Sequence, residues 1–354
     1  MRIVIACSLM VAGTAISVAA PPEPAGAAGG TTLRPMTVTV MRDPVDKSYR
    51  KMLKGMDLFE EMRAMAPGAS LRFKLLPRQP GTSMEGIKLA IDADSLSIPV
   101  PVRADNSFTL ERNQKALDED AVVASNRKAL SMTWRAEIRT PGLPENARRL
   151  GDLRLECHVG MEADLVSNDR PTFFLRPEPN PVMRKRGYCD ARKVGYLFFV
   201  ERPLFSVTLA SGARREVLSV DNLYAGQSDN EISKADLPYC DCQVMLDRTY
   251  FLPLGDRSWP DDTLVEFEYM DDQTTAASTT GGVAIGSSKS DVFAALGKGV
   301  EIRFDSGYAE WIYRYIEEAP AKGIPARKRE LVVLFAPSGM VAKTRLRVSS
   351  PAAA

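Results

Sequence analysis

Glu330-Leu331-Val332-Val333-Leu334-Phe335, followed by Pro337-Ser338-Gly339 and Met340-Val341, carries the clearest structural signal in this chain. Leu331 to Phe335 is apolar without alternation, as expected of a strand buried on both faces. Pro337-Ser338-Gly339 turns the chain back into Met340 to Val348. There Val341, Lys343, Arg345 and Arg347 share one face, and the cations mark an exposed strand. Moving outward, Glu310 to Tyr315 sets Trp311, Tyr313 and Tyr315 against Glu310, Ile312 and Arg314, a strand with an aromatic face. Further upstream, Gly286-Ser287-Ser288-Lys289-Ser290-Asp291-Val292 opens a helix. Ser287 or Ser288 caps it and Asp291 reaches back from the first turn. Val292, Phe293 and Leu296 fall on one helical face, and Gly297 supplies a left-handed stop.

In this order and spacing the pieces resemble the BamE-like (SmpA/OmlA) domain of small outer-membrane lipoproteins. That family runs from a "G-x-(S/T)-x-x-(D/E)-V" helix start through "L-G" and a "W-x-Y" strand to a closing hairpin. The resemblance is confined to residues 283–348. It implies a small α+β module that docks on another envelope component, with partners in outer-membrane protein assembly and peripheral contact with that membrane. The docking surface expected from it is the aromatic strand and its neighbour, Trp311, Tyr313 and Phe335. The chain departs from the family at its start. Val4-Ile5-Ala6-Cys7 has almost no apolar core before the cysteine, so a lipid anchor is not expected.

The other termini and totals point to export. Arg2, the apolar run from Ile3 to Ala15 and Val18-Ala19-Ala20 read as a signal peptide over 1–20, and a Pro/Ala/Gly linker without periodicity spans 21–34. A periplasmic or outer-membrane-associated protein is therefore expected. The 354 residues carry 46 Lys+Arg against 45 Asp+Glu, a net charge of +1, which shows no nucleic-acid footprint. Without Cys7, four cysteines remain, Cys157, Cys189, Cys240 and Cys242, an even set suited to an oxidising compartment. Leu153, Leu155, Cys157 and Val159 alternate with Arg154, Glu156 and His158, which reads as a strand. Cys240 and Cys242 sit two apart on an extended segment and seldom bond to each other. The expected bridges therefore join Cys157 and Cys189 to Cys240 and Cys242, in either order.

Between the termini the chain reads as mostly β within an α+β class. Met36 to Met41 is a first strand. Asp46 to Met65 is an amphipathic helix carrying Tyr49, Met52, Leu53, Met56, Phe59 and Met62, capped by Asp43 or Asp46 and closed by Pro67-Gly68. From Ser70, short strands separated by turn clusters suggest β-sandwich-like regions, with Ile98-Pro99-Val100-Pro101-Val102 confined to an edge. Asn113 to Lys128 is polar and holds at most a short helix. The expected division is a β-rich domain over 35–167, a second β-rich unit over 168–272 disulfide-linked to it, a linker over 273–282 and the C-terminal module.

Catalytic constellations are nearly missing from the sequence. There is no Gly-x-Ser-x-Gly elbow, no His-Glu-x-x-His and no phosphate or dinucleotide loop. No cofactor or metal is expected, and His158, the one histidine, reads as an ordinary strand residue rather than a zinc ligand beside the cysteines. Ser48-Tyr49-Arg50-Lys51 and Ser228-Asp229-Asn230 match two elements of penicillin-recognising enzymes, but Lys343-Thr344-Arg345 fails the third and Ser-x-x-Lys recurs at Ser125 to Lys128. Asp118-Glu119-Asp120 and Asp261-Asp262 read as solvated turns. The expectation is a non-enzymatic binding or scaffolding protein. The alternative is a periplasmic hydrolase, requiring Ser48, Lys51 and Ser228 in one cleft, or an inhibitor-like protein by fold analogy with β-lactamase-inhibitor domains.

Overall fold

The computed structural model describes residues 44–128, 131–165, 187–191, 195–226, 245–273, 279–280, 282–316 and 328–349. Along the first stretch run β1 (Pro44–Ser48), α1 (Tyr49–Glu61), β2 (Ser70–Pro77), β3 (Leu89–Asp92), β4 (Ser97–Val100), β5 (Ser107–Phe108), α2 (Gln114–Asp118), β6 (Val122–Lys128) and β7 (Met132–Arg139). Then follow β8 (Ala147–Arg149), α3 (Leu150–Glu162), β9 (Phe198–Phe199), β10 (Leu204–Ser211), β11 (Arg214–Val217), β12 (Thr249–Tyr250) and β13 (Leu264–Tyr269). The last part holds β14 (Thr279–Thr280), β15 (Val283–Ala284), α4 (Lys289–Leu296), β16 (Val300–Arg303), β17 (Ala309–Ile316), β18 (Lys328–Phe335) and β19 (Val341–Ser349). The protein is mostly β. Its larger sheets have the orders β1-β6-β3-β4, β5-β2-β7, β11-β10-β13-β8 and β16-β17-β18-β19, and their pairings are antiparallel. From Met41 onward the chain is one unit, and β8 pairs with β13 across the boundary expected near residue 168.

Three apolar clusters hold these sheets. One gathers α1, β2, β3, β6 and β7 around Tyr49, Met52, Phe73, Val123 and Trp134. A second joins β9, β10, β12 and β13 to the inner face of the C-terminal sheet through Phe205, Tyr250, Phe267, Ile312, Val332 and Leu334. The third lies between α4 and the other face of that sheet: Val292, Trp311, Tyr313, Val333 and Phe335. Strand β4, with Pro99, sits at a sheet edge as its missing amide donor requires.

Helix α3 overturns the most consequential sequence expectation. Residues Leu153 to Met161 form part of a helix, and Leu150 to Gly160 are all buried. Leu155 and Val159 enter the first cluster while Leu150, Leu153 and Cys157 enter the second. A helix wrapped on every side has no solvent face, so no 3.6-residue polarity survives to be read. Several of its polar residues are held by specific partners instead of solvent. Asp152 accepts from the Thr140 amide and hydroxyl, both at 2.8 Å. Arg154 donates to the carbonyls of Leu254, Asp256 and Trp259 at 2.9 Å and to Asp261 at 2.6 Å. Close packing also dictates Gly151. A Cβ there would stand 2.2 Å from the Met65 carbonyl oxygen.

Other differences have equally local causes. Helix α1 begins at Tyr49 and is capped by Ser48, which accepts from the Lys51 amide, not by Asp43 or Asp46. The strand expected over Met36 to Met41 lies outside the described residues. Val122 to Lys128 is a strand, despite its polar residues, because it is held between β1 and β3. The short helix expected in Asn113 to Lys128 is α2, capped by Asn113. In the C-terminal part the Ser288–Asp291 capping box forms as expected, and Gly297 adopts φ +75°. Phe293, however, is exposed, leaving Val292 and Leu296 to pack. Strand β19 is not an exposed strand on its charged face. Lys343 and Arg347 are buried, since that face lies against the body of the protein.

Candidate functional site

A cavity of about 510 Å³ lies between a charged wall and an aromatic wall. The charged wall is one face of β2 and β7. Alternation sends Phe73, Leu75, Trp134 and Ile138 into the core and turns Arg72, Lys74, Arg135, Glu137 and Arg139 to the cavity. Antiparallel register sets Arg72 opposite Glu137 and Lys74 opposite Arg135. Lys74 Nζ lies 3.6 Å from Glu137 and pairs with Glu201, while Arg139 Nε lies 3.2 Å from Glu137. These links hold the wall's charges in place.

The opposite wall is a continuous series of rings. Tyr196 meets Phe198 at 4.8 Å between centroids, Phe198 stacks on Tyr250 at 5.3 Å, and Tyr250 meets Phe267 at 5.3 Å. Arg135 sits over Phe199 at 4.2 Å and Arg202 over Tyr269 at 4.4 Å, so guanidinium faces tie the two chemistries together. Burial pushes the Tyr196 phenol up to about 12 and raises Tyr250 as well. Both hydroxyls therefore stay protonated at neutral pH. Gly160 makes room for Tyr196, whose hydroxyl would lie 2.4 Å from a Cβ at that position.

A buried ion pair forms the floor. Arg148, from β8, donates to the Ile138 carbonyl at 2.6 Å and to Glu156 of α3, and Glu156 accepts from the Ile138 amide at 2.7 Å. The two side chains thus satisfy both backbone groups of Ile138 on the edge of β7. Burial raises the Glu156 carboxyl above its ordinary range against the pull of Arg148. Burial also works against the Arg148 charge, but Glu156 beside it wins and the net direction is up. Arg72, Glu137, Arg139 and Arg148 also line a second cavity of about 290 Å³, together with the Thr140–Pro144 segment. The whole is a fixed array of donors, acceptors and ring edges suited to a polar ligand.

The residues singled out in the sequence lie elsewhere. Cys157 bonds to Cys189, with Cα atoms 6.0 Å apart, which corrects the pairing expected with Cys240 and Cys242. On a helix, Cys157 meets the segment after residue 186 directly. Cys240 and Cys242 lie outside the described residues. That bridge brings the neighbouring His158 and Asp190 to 3.7 Å, with His158 buried rather than on a strand surface and lowered by burial against the opposing Asp190 charge. Trp311, Tyr313 and Phe335 are 8%, 8% and 0% exposed. They pack beneath α4 in the third apolar cluster. Ser48 caps α1 and Lys51 Nζ lies 2.5 Å from Asp164, while Ser228 lies outside the described residues. Among the described residues no group of three or more His, Cys, Asp and Glu side chains is placed to hold a metal ion. No described helix is long and apolar enough to cross a membrane.

In comparisons with known proteins, no family model, no curated protein and no solved structure matches this chain.

Proposed function

We propose that this is an exported, non-catalytic binding protein of the cell envelope whose ligand occupies the cleft between the β2/β7 face and the aromatic wall. The observation that carries the reading is the preorganised lining. Six cations and five carboxylates are set against tyrosine and phenylalanine rings, and serine, cysteine and histidine nucleophiles are missing from that described lining. Glu137, Glu156 and Glu201 are each tied to a cation, which suits recognition better than proton shuttling. The Cys157–Cys189 bridge and the amino-terminal signal-like segment support residence in an oxidising compartment, the periplasm. The shared apolar core of the β1-β6-β3-β4 and β5-β2-β7 sheets supports a β-sandwich-like N-terminal region. In the C-terminal part, the Ser288 capping box, Gly297 and the β17–β19 strands support a BamE-like module, and with it contact with an outer-membrane assembly component.

Saturation-transfer NMR against amino acids, carboxylates, sugar phosphates and oligosaccharides tests the cleft. A compound class that binds the wild type and is lost on Arg72→Glu, a substitution on the partly exposed wall, supports the reading. Binding unchanged by Arg72→Glu and by Arg139→Glu removes the cleft as the site.

A further inference from the structure

The inner face of the C-terminal sheet carries charge where a permanent core would carry none. Glu310 of β17 is 0% exposed, and its Oε1 accepts from the Tyr224 hydroxyl at 2.7 Å while its Oε2 has no partner. Arg347 of β19 is equally enclosed. One Nη donates to the Phe205 carbonyl at 2.8 Å, and its Nε and other Nη are unpartnered. Among the described residues no carboxylate comes within ion-pairing distance of Arg347. Glu330 of β18 stands between the two strands, accepting from the Val220 amide at 3.0 Å and from Arg314 at 3.2 Å. Ser206 of β10, on the side of the body, has a buried hydroxyl without a partner. On the same face, Lys343 and Arg345 reach Glu268 of β13. Unsatisfied buried groups of this kind destabilise the docked sheet.

The backbone beneath them is strained at the matching place. Tyr224 and Ala225 adopt φ +54° and +57°, two successive left-handed residues with side chains. A register shift in β10 at Phe205 turns its carbonyl toward Arg347 and Tyr224. Two strained elements of the body therefore converge on the hydroxyl and carbonyl that grip the sheet.

We propose that Glu310, Tyr224 and Arg347 form a proton-operated latch: with Glu310 protonated the C-terminal sheet is held on β10, and with Glu310 ionised the sheet loosens from the body. The inference holds whatever the cleft binds. Burial is the largest influence on Glu310 and raises its carboxyl from 4.5 to about 7. Arg347 and the Tyr224 hydrogen bond oppose this, and Glu330 adds to it. A raised carboxyl is neutral in the docked state, so docking is strongest below pH 4.5 and weakens as pH rises through 7. Across pH 5 to 8 the loosening equilibrium shifts by about seventy-fold.

Hydrogen–deuterium exchange of the full chain at pH 5 and pH 8, normalised to intrinsic exchange, reads this directly. Peptides from β17 to β19 and from Leu204 to Ala225 are expected to lose protection at pH 8, while β2 and β7 stay unchanged. Glu310→Gln, which imitates the protonated acid, is expected to flatten the response. Tyr224→Phe, which removes a hydrogen bond to the carboxylate, should move the midpoint up. Glu330→Gln, which removes a neighbouring negative charge, should move it down. Equal protection at both pH values in the wild type, an unchanged response in Glu310→Gln, or midpoints that stay fixed in the other two variants would overturn the latch.

Discussion

The floor of the cleft makes a sharp energetic demand that a double-mutant cycle can test. Arg148 and Glu156 are both buried, and between them they complete the amide and carbonyl of Ile138. Arg148→Met strands the Glu156 carboxylate and the Ile138 carbonyl, which costs about 3 kcal/mol or more. Glu156→Gln still accepts from the Ile138 amide but leaves the Arg148 guanidinium without its counter-charge, a loss of similar size. The double variant contains no unpaired charge, and its remaining deficit is chiefly the Ile138 carbonyl, about 1–3 kcal/mol. The coupling energy is therefore expected at about 3–5 kcal/mol, at or above the upper end for residues in direct contact. Urea unfolding followed by tryptophan fluorescence suits the measurement, because Trp134, Trp259 and Trp311 each sit in a different apolar cluster. A double variant that loses the sum of the two single effects would refute the reasoning, since additivity means that the pair does not act as a unit.

Other consequences follow from the same packing. Arg154→Lys keeps the charge but not the fork that binds three carbonyls and Asp261, so a loss of about 2–4 kcal/mol is expected in denaturant titration. Reduction of Cys157–Cys189, whose sequence separation is 32, should cost about 3–4 kcal/mol by loop entropy, seen as a lower urea midpoint under reducing conditions. Ser288→Ala removes the acceptor for the Asp291 amide at the start of α4 and should cost about 1 kcal/mol, with faster amide exchange in the first turn of that helix. Gly160→Ala drives the Tyr196 hydroxyl out of its place, and the expected signature is a shifted Tyr196 ring resonance with a loss of about 1–3 kcal/mol.

Legibility in the sequence tracked how much solvent each element meets. The Ser288 capping box and the apolar run from Leu331 to Phe335 were readable because capping is local and an uninterrupted buried strand has its own signature. So was the prolyl edge strand at Ile98 to Val100. Helix α3 was not, because all its sides are enclosed and Arg154, Glu156 and His158 look like a solvated face until their partners are known. The same confusion hid Lys343 and Arg347 on β19. The cleft was invisible for a different reason. Its walls come from β2, β7, β8, α3 and three later segments, and only the alternation around Arg72 and Lys74 hinted that one strand face was charged.

Helix α3 also decides how the cleft can behave. It reaches one wall through Asp152 and Glu156, which complete Thr140 and Ile138 at the end of β7. It supports the other through Leu150, Leu153 and Cys157, packed in the cluster that contains Phe198, Tyr250 and Phe267. A displacement of one wall toward the other would have to carry this helix, break its buried hydrogen bonds or open the cavity that close packing forbids. Arg154 adds a third restraint by fastening the loop from Leu254 to Asp261 to the same helix. The cleft is thus preformed rather than closing. A ligand that fits it should bind with little ordering cost, and its selectivity must come from how its own polar groups match charges that are already paired.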